Sequence, residues 1–267
     1  MKTPDSRLGP QERLFLASMA GKGKRIISYQ EGLPYWKSTQ QTRKALSRLE
    51  NKGWLRRLER GVYLLIPLEA GPEGQWSEDP LLIATQLVSE GAVAYWSAMH
   101  YWTMTAQVPR TVFVQTTSRR YLPRTEILGV RYQFVTVKKS RFFGILTRTS
   151  DGMAFRITDR EKTLVDACDR PDLSGGILQV AKALKSSEQV DWRILSTYLD
   201  RFGSGAVYKR LGFLVETLDV SIPDKKGMLA EWQSKLTEGI SWLEPGAERA
   251  GPVITRWRMR VNVAGLE

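Results

Sequence analysis

The pattern of apolar and polar residues is most regular in the stretch 38–66. Its first part carries an apolar stripe at helical spacing, formed by Thr42, Ala45, Leu46 and Leu49, and this spacing predicts an amphipathic helix. Ser38 or Thr39 is expected to cap the N-terminus of this helix, with Gln41 as the return partner of Ser38. Gly53 follows the last turn, where a left-handed residue often ends a helix.

Two short apolar strands, at 54–58 and 62–66, flank the glycine-containing loop Glu59-Arg60-Gly61 and predict a tight hairpin. Upstream, the pattern predicts a helix at 10–20, a strand at 25–27 that pairs with the hairpin, and a short helix at 28–33 before a turn at 34–36. The order is that of a winged helix-turn-helix. Residues 1–66 are therefore predicted to form one such DNA-binding domain.

Residues 67–80 are rich in Pro, Gly and acids and predict a linker, after which 81–267 form a second domain. Helices are predicted at 81–89, 92–102, 159–167, 176–184, 192–202, 206–218 and 226–236. Strands are predicted at 111–117, 130–137, 142–148, 153–157 and 253–263. The predicted fold class is α+β, an N-terminal winged helix-turn-helix followed by a mixed α+β C-terminal domain.

Charge is concentrated in the first domain. The chain has 40 Lys+Arg and 28 Asp+Glu, which is a net charge of +12. Residues 1–66 hold 14 of the basic and 5 of the acidic residues, a net charge of +9. The other 201 residues hold 26 basic and 23 acidic residues, a net charge of only +3. A cationic excess that coincides with a helix and hairpin of this kind favours double-stranded DNA as the partner.

In such a domain the polar face of the 38–52 helix enters the major groove, and the wing contacts the backbone or the minor groove. The predicted DNA-binding residues of the helix are Ser38, Thr39, Gln40, Gln41, Arg43, Lys44, Ser47 and Arg48, and those of the wing are Arg56, Arg57 and Arg60. Gln and Arg can read adenine and guanine edges, whereas Lys mainly holds phosphates.

Other chemistry has little support in the sequence. Cys168 and His100 are the only residues of their types, which excludes an internal disulfide and a structural zinc site built from Cys and His. No apolar run is long enough to span a bilayer, and no nucleotide-phosphate loop is present. We therefore expect a reduced cytoplasmic protein without a cofactor.

Two alternatives to a DNA-binding regulator stay open at this stage. A metal-dependent nucleic-acid enzyme would need the acidic cluster Asp159, Glu161, Asp166 and Asp169. A protein-interaction module would use the winged helix to bind an acidic partner. The basic loops at Arg119, Arg120 and Arg124 and at Lys138, Lys139 and Arg141 suit either a wider DNA contact, an acidic partner or solvent. The aromatic segment 95–102 is expected to be core.

Three segments carry a family likeness. KALSRLENKGWLRRLERGVYLL, AYWSAMHYWTMTAQVPRTVFVQTT and FRITDREKTLVDACDRPDLSGGI together resemble the AbiEi-type antitoxins, the transcriptional regulators of abortive-infection toxin–antitoxin pairs. The resemblance implies a non-enzymatic antitoxin that binds inverted repeats in its own promoter and represses it. It also implies a C-terminal domain that opposes a nucleotidyltransferase-like toxin without forming a stable complex with it.

Overall fold

In the computed structural model, residues 7–70, 78–120, 123–186 and 188–266 are described, and two lobes are visible in them. The first lobe consists of α1 (Pro10–Gly21), β1 (Ile26–Ser28), α2 (Tyr29–Gly32), α3 (Thr39–Asn51), β2 (Leu55–Glu59) and β3 (Val62–Leu65). These elements occur in the order predicted from the sequence, and β1 pairs antiparallel with β3 as expected. We call the β2–β3 hairpin the wing.

The sheet of the first lobe, in the order β1-β3-β2, is covered on both faces. Along β3 the side chains alternate: Tyr63 and Leu65 pack with Phe15, Leu46 and Leu49 of the helices. Val62 and Leu64 belong instead to the large apolar cluster of the second lobe, which Ile26, Leu58 and Ile66 also join. Since successive strand residues point to opposite faces, the sheet is shared by two cores.

The second lobe is built on a six-stranded mixed sheet in the order β6-β7-β5-β4-β9-β8. Its strands are β4 (Gly91–Val93), β5 (Thr111–Thr116), β6 (Arg124–Ile127), β7 (Val130–Thr136), β8 (Ile145–Ser150) and β9 (Met153–Thr158). Helices α4 (Pro80–Gln86), α5 (Tyr95–Tyr101) and α6 (Arg160–Asp169) contact this sheet or each other. The α+β class predicted from the sequence is confirmed.

The chain continues into four helices, α7 (Ile177–Lys185), α8 (Trp192–Phe202), α9 (Gly205–Thr217) and α10 (Lys225–Ser234), and a small sheet of β10 (Ser241–Trp242), β11 (Val253–Ile254) and β12 (Met259–Arg260). Arg210 of α9 is buried and joins these parts. Its Nη1 donates to the carbonyl oxygen of Cys168 at 3.0 Å, and its Nε donates to that of Trp242 at 2.9 Å.

Several sequence predictions need correction. The helix predicted at 92–102 begins only at Tyr95, because Ala92 and Val93 pair with β5 in the sheet. The single strand predicted at 253–263 is two short strands, separated by a 3-10 turn and by Arg258 in the left-handed region. Strands β6 and β10 were not predicted. The strand predicted at 142–148 is displaced to Ile145–Ser150.

The predicted linker 67–80 lies partly outside the described residues. Leu68–Ala70 forms a 3-10 turn, and Asp79 caps α4 by accepting a hydrogen bond from the Leu81 amide at 2.8 Å. The division into domains 1–66 and 81–267 stays a prediction. The shared sheet nevertheless ties the two lobes together, and so does an ion pair of 3.1 Å between Arg25 and Glu78, whose side chain is 1% exposed.

Glu12 joins α1 to the end of α3. Its Oε2 accepts from the Gly9 amide at 2.9 Å and from Lys52 Nζ at 2.8 Å, and its Oε1 accepts from Arg48 Nε at 3.4 Å. Burial raises the pKa of this carboxyl, but hydrogen bonds from Lys52, Gly9 and Arg48 outweigh burial and hold the pKa below its usual value. The ionised form is therefore the one that the fold stabilises.

Gly212→Ala is expected to destabilise the second lobe. A Cβ at Gly212, inside α9, would lie 2.1 Å from the buried ring of Trp257. Forcing an extra carbon into a packed core costs typically about 1–3 kcal/mol. Urea unfolding of the purified protein measures the cost. The matched control is Gly21→Ala, where the added Cβ meets no atom within 4 Å; equal stability of the two variants would contradict the prediction.

Glu12→Gln is expected to lower the free energy of unfolding at neutral pH by about 1–3 kcal/mol, because Lys52 and Arg48 lose a charged acceptor. The folded-state pKa lies below the unfolded one, so this stabilisation is present above the unfolded pKa and is lost as the pH falls through the folded pKa. Unfolding curves from neutral to acidic pH should thus converge for wild type and variant. Glu69→Gln, at an exposed position, is the control. If the difference in unfolding free energy between wild type and Glu12→Gln were the same at all pH values, the stabilising role of the Glu12 carboxylate would be refuted.

Candidate nucleic-acid interface

Helix α3 has one buried and one exposed side, as the sequence predicts. Thr42, Ala45, Leu46 and Leu49 are buried. The exposed side carries Gln40, Gln41, Arg43, Lys44, Ser47 and Arg48. Ser38 is the N-cap, because its Oγ accepts a hydrogen bond from the Gln41 amide at 3.2 Å. Ser38 and Thr39 are themselves exposed. The structure therefore presents the helical part of the predicted DNA-binding set on one accessible surface.

Tyr29, at the start of α2, connects α3 to the wing. Its backbone amide donates to the Gly61 carbonyl oxygen at 2.6 Å. Its hydroxyl donates to the Thr39 carbonyl oxygen at 3.4 Å, and the guanidinium of Arg43 lies over its ring at 5.7 Å from the centroid. These contacts bring the N-terminal half of α3 beside the wing loop. The sequence gives no local signal for this position of Tyr29, because its contacts with Gly61, Thr39 and Arg43 join residues that are distant in the chain.

The wing is a hairpin with an irregular end. The pairing register shifts between Arg57 and Glu59, and Gly61 has a φ of +80°. Such a φ is unfavourable for residues with a Cβ, which accounts for glycine in this loop. Arg57 and Arg60 are exposed, and Arg57 Nε donates to the Glu59 carbonyl oxygen at 3.4 Å. Both arginines are accessible near the α3 surface.

Arg56 occupies a different position from the other two wing arginines. It is half-buried and pairs in register with Leu64, whose side chain belongs to the apolar cluster of the second lobe. Directly paired strand residues point to the same face. Arg56 therefore lies on the side of the wing that the second lobe covers, away from the side occupied by Tyr63.

The charges of the exposed α3 surface are only partly balanced within the lobe. Arg48 contacts Glu12, as described above, and keeps 56% of its side chain exposed. Lys37, which precedes the cap, is also exposed. Lys37 was not among the predicted DNA-binding residues. Its position directly before the N-cap of α3 is the sequence feature that could have identified it as a phosphate contact. The surface formed by α3, Lys37, Arg57 and Arg60 is hereafter called the basic surface.

The four acidic residues that a metal-dependent enzyme would need are engaged in hydrogen bonds or ion pairs within the protein. Asp159 caps α6 by accepting from the Lys162 amide at 2.7 Å, and Glu161 accepts from the Asp191 amide at 2.8 Å. Asp166 forms a buried ion pair with Lys162, and burial raises the pKa of the Asp166 carboxyl. Asp169 pairs with Arg141 at 3.5 Å. Within the described part of the chain, no group of three or more His, Cys, Asp or Glu is placed to hold a metal ion.

The single cysteine and the aromatic segment lie in the core of the second lobe. Cys168 is fully buried, and burial raises the pKa of its thiol to about 12. Tyr95, Met99 and Trp102 are buried, as predicted for core residues, whereas Trp96 and Tyr101 are half-buried and His100 is exposed. Among the described residues no helix is both long and apolar enough to cross a bilayer.

The basic loops of the second lobe differ from one another. Arg119, Arg124, Lys138 and Lys139 are exposed. Arg120 and Arg141 are half-buried: Arg120 pairs with Glu59 of the wing at 2.5 Å, and Arg141 also stacks on the Phe202 ring at 4.2 Å. The loop at 117–120 thus lies next to the wing, a position that its sequence did not reveal.

Comparison with known proteins gives a local sequence match and a match of fold. The crystal structure of the RV2827C protein from Mycobacterium tuberculosis is similar with a TM-score of 0.64 at 13% identity, over 96% of this chain and 93% of that one. At this identity the similarity concerns the fold alone. No curated protein matches the sequence significantly.

Residues 42–66, which run from α3 through the wing, match the family model described as "Transcriptional regulator, AbiEi antitoxin". The matched segment contains Arg43, Lys44 and Arg48 of the helix and Arg57 and Arg60 of the wing. The resemblance to AbiEi-type antitoxin regulators that the sequence motifs indicate is therefore confirmed. The matched segment covers the wing and most of α3, but not Lys37 or the first residues of the helix.

Proposed function

We propose that this protein is a DNA-binding transcriptional repressor and the antitoxin of a toxin–antitoxin operon, and that it binds inverted repeats in its own promoter. The single observation that carries the proposal is the basic surface, in which the exposed side of α3 adjoins the wing through Tyr29. The family match to regulators over residues 42–66, which include Arg43, Arg57 and Arg60, supports it.

In the proposed complex α3 lies in the major groove. Gln40, Gln41 and Arg43, in its first turns, read base edges, since bidentate contacts of Gln to adenine and of Arg to guanine discriminate bases there. Lys44, Ser47 and Arg48 hold phosphates and fix the register. Arg57 and Arg60 contact the flanking backbone or the minor groove. Arg56, on the covered side of the wing, contributes positive potential at longer range.

Ser38 and Thr39 stand at the N-terminus of α3, where backbone amides and the helix dipole favour a phosphate. Their exposed hydroxyls can donate to the same phosphate. We assign no catalytic step and no cofactor to the protein, since the acidic residues considered for metal chemistry accept hydrogen bonds from backbone amides or form ion pairs.

The second half of the proposal concerns the toxin. The family likeness of residues 94–117 and 155–177 implies that the second lobe opposes a nucleotidyltransferase-like toxin encoded beside it, without a stable complex. The basic surface and the family-matched segment both lie in the first lobe. We therefore place DNA binding and toxin opposition on different lobes, in the cytoplasm of the cell that makes both proteins.

Arg43→Ala is expected to weaken binding to the DNA directly upstream of the gene by about 1–3 kcal/mol, the cost of one base contact. A gel-shift titration measures this loss of affinity. The same titration of the wild type at several salt concentrations should show the binding constant falling by about 0.9 log units per log unit of salt for each phosphate neutralised. Arg193→Ala, an exposed arginine on α8, is the control and should bind like wild type. A salt-independent shift, or no loss in Arg43→Ala combined with Arg60→Ala, would disprove the assignment.

Arg43→Ala/Arg60→Ala is expected to keep antitoxin activity while losing operator binding, because the toxin-opposing part is placed on the other lobe. Growth of cells that express the neighbouring toxin-like gene from an inducible promoter, with the antitoxin supplied from an independent one, measures this. Wild type is the positive control and an empty vector the negative one. A double variant that fails to restore growth, although present at the wild-type level, would contradict the separation of the two activities.

A further inference from the structure

Glu59 is an unfavourable residue for a DNA-contacting wing. It is the only acidic residue in the stretch 54–66, which also contains Arg56, Arg57 and Arg60. It adjoins the loop of the hairpin, where an unpaired carboxylate would repel the phosphates that Arg57 and Arg60 are proposed to contact. A feature that neutralises Glu59 would therefore strengthen DNA binding.

Arg120, from the second lobe, is positioned to neutralise it. Its Nη2 lies 2.5 Å from Glu59 Oε2, and its Nη1 donates to the Leu87 carbonyl oxygen at 2.7 Å. The guanidinium also lies 4.0 Å above the centroid of the Phe134 ring. Three contacts from different parts of the chain thus hold Arg120 in place, and its side chain is only 14% exposed.

The Arg120–Glu59 pair is continuous with the basic surface. Glu59 is two residues from Gly61, whose carbonyl oxygen accepts from the Tyr29 amide, and Tyr29 in turn contacts Thr39 and Arg43 of α3. The pair is also partly shielded from water, because 28% of the Glu59 side chain is exposed. A charge pair in such a position is screened by salt less than a fully exposed one.

We propose that Arg120 is a positioning residue for DNA binding, which neutralises Glu59 and holds its carboxylate away from the phosphates. The inference rests on the proposed function of the basic surface. Arg120 itself touches no phosphate. With Glu59 neutralised, the wing presents the exposed Arg57 and Arg60 without the opposing charge of that carboxylate, and the second lobe completes the electrostatic surface of the first.

Four variants of the full-length protein test this by gel shift on the labelled upstream DNA fragment. Arg120→Gln frees the carboxylate, and binding is expected to weaken about three- to tenfold, as for one added repulsion at a partly solvated site. Glu59→Gln should bind as well as wild type or better. Arg120→Gln/Glu59→Gln should recover wild-type affinity, since the harmful charge is gone. Arg120→Lys keeps a cation and should bind nearly as wild type.

Two other roles for Arg120 give different results and would overturn the inference. If Arg120 contacted a phosphate, the double variant would stay weak, and its salt slope would fall by about 0.9. If the pair acted only as a mechanical latch between the lobes, Glu59→Gln would weaken binding as much as Arg120→Gln. Recovery in the double variant with an unchanged salt slope is the result that only neutralisation gives.

Arg131→Gln is the matched control, because it removes an arginine from an exposed ion pair of the same lobe, 3.8 Å from Glu126. Urea midpoints of all variants report loss of folding. Arg43→Ala on the same fragment separates the two proposals. If Arg43→Ala weakens binding and Arg120→Gln does not, the inference fails and the proposed function stands. If wild type does not bind the fragment, both fail.

Discussion

The burial of β3 on both faces is the constraint on which the arrangement of the first lobe depends. Tyr63 and Leu65 face the helices, and Val62 and Leu64 face the second lobe. A wing in an isolated domain has one core to fix it, whereas this wing has two. The hairpin is thereby held at a set angle to α3, and only its loop and the exposed residues of β2 remain for contact with a ligand.

Three acidic residues of the first lobe have partners other than Arg43 and Lys44. Glu12 caps α1 and pairs with Lys52, Glu31 caps α2 and pairs with Lys24, and Glu59 pairs with a residue of the other lobe. Burial raises the pKa of Glu31, but hydrogen bonds from Lys24 and Ser28 outweigh burial and hold it below the usual value. None of these three carboxylates pairs with Arg43 or Lys44, although Glu12 also contacts Arg48, so the positive charge of the first two turns of α3 is not offset by them.

The features predictable from sequence were those set by neighbours along the chain. Helix α3, its Ser38 cap and the wing follow from local spacing and turn chemistry, and all are present. The apolar residues Ala92 and Val93 run on into α5, and the pattern therefore predicts a helix that includes them. Their pairing with β5 is a non-local contact without a local signal. The same holds for Arg56 and Arg120. Whether an arginine of the wing faces solvent or a second core depends on residues far away in the chain.

The shared sheet also bears on how the two lobes divide their work. Ile26, Leu58, Leu64 and Ile66 are buried by contact with the second lobe. In a chain cut within 67–80 these four side chains would meet water, and exposed apolar patches favour association or rearrangement. The isolated first lobe would therefore differ from the same residues in the intact protein, with a wing fixed by one core. Substitutions within the full chain keep both cores, and they are for this reason the sounder means of separating DNA binding from any activity of the second lobe.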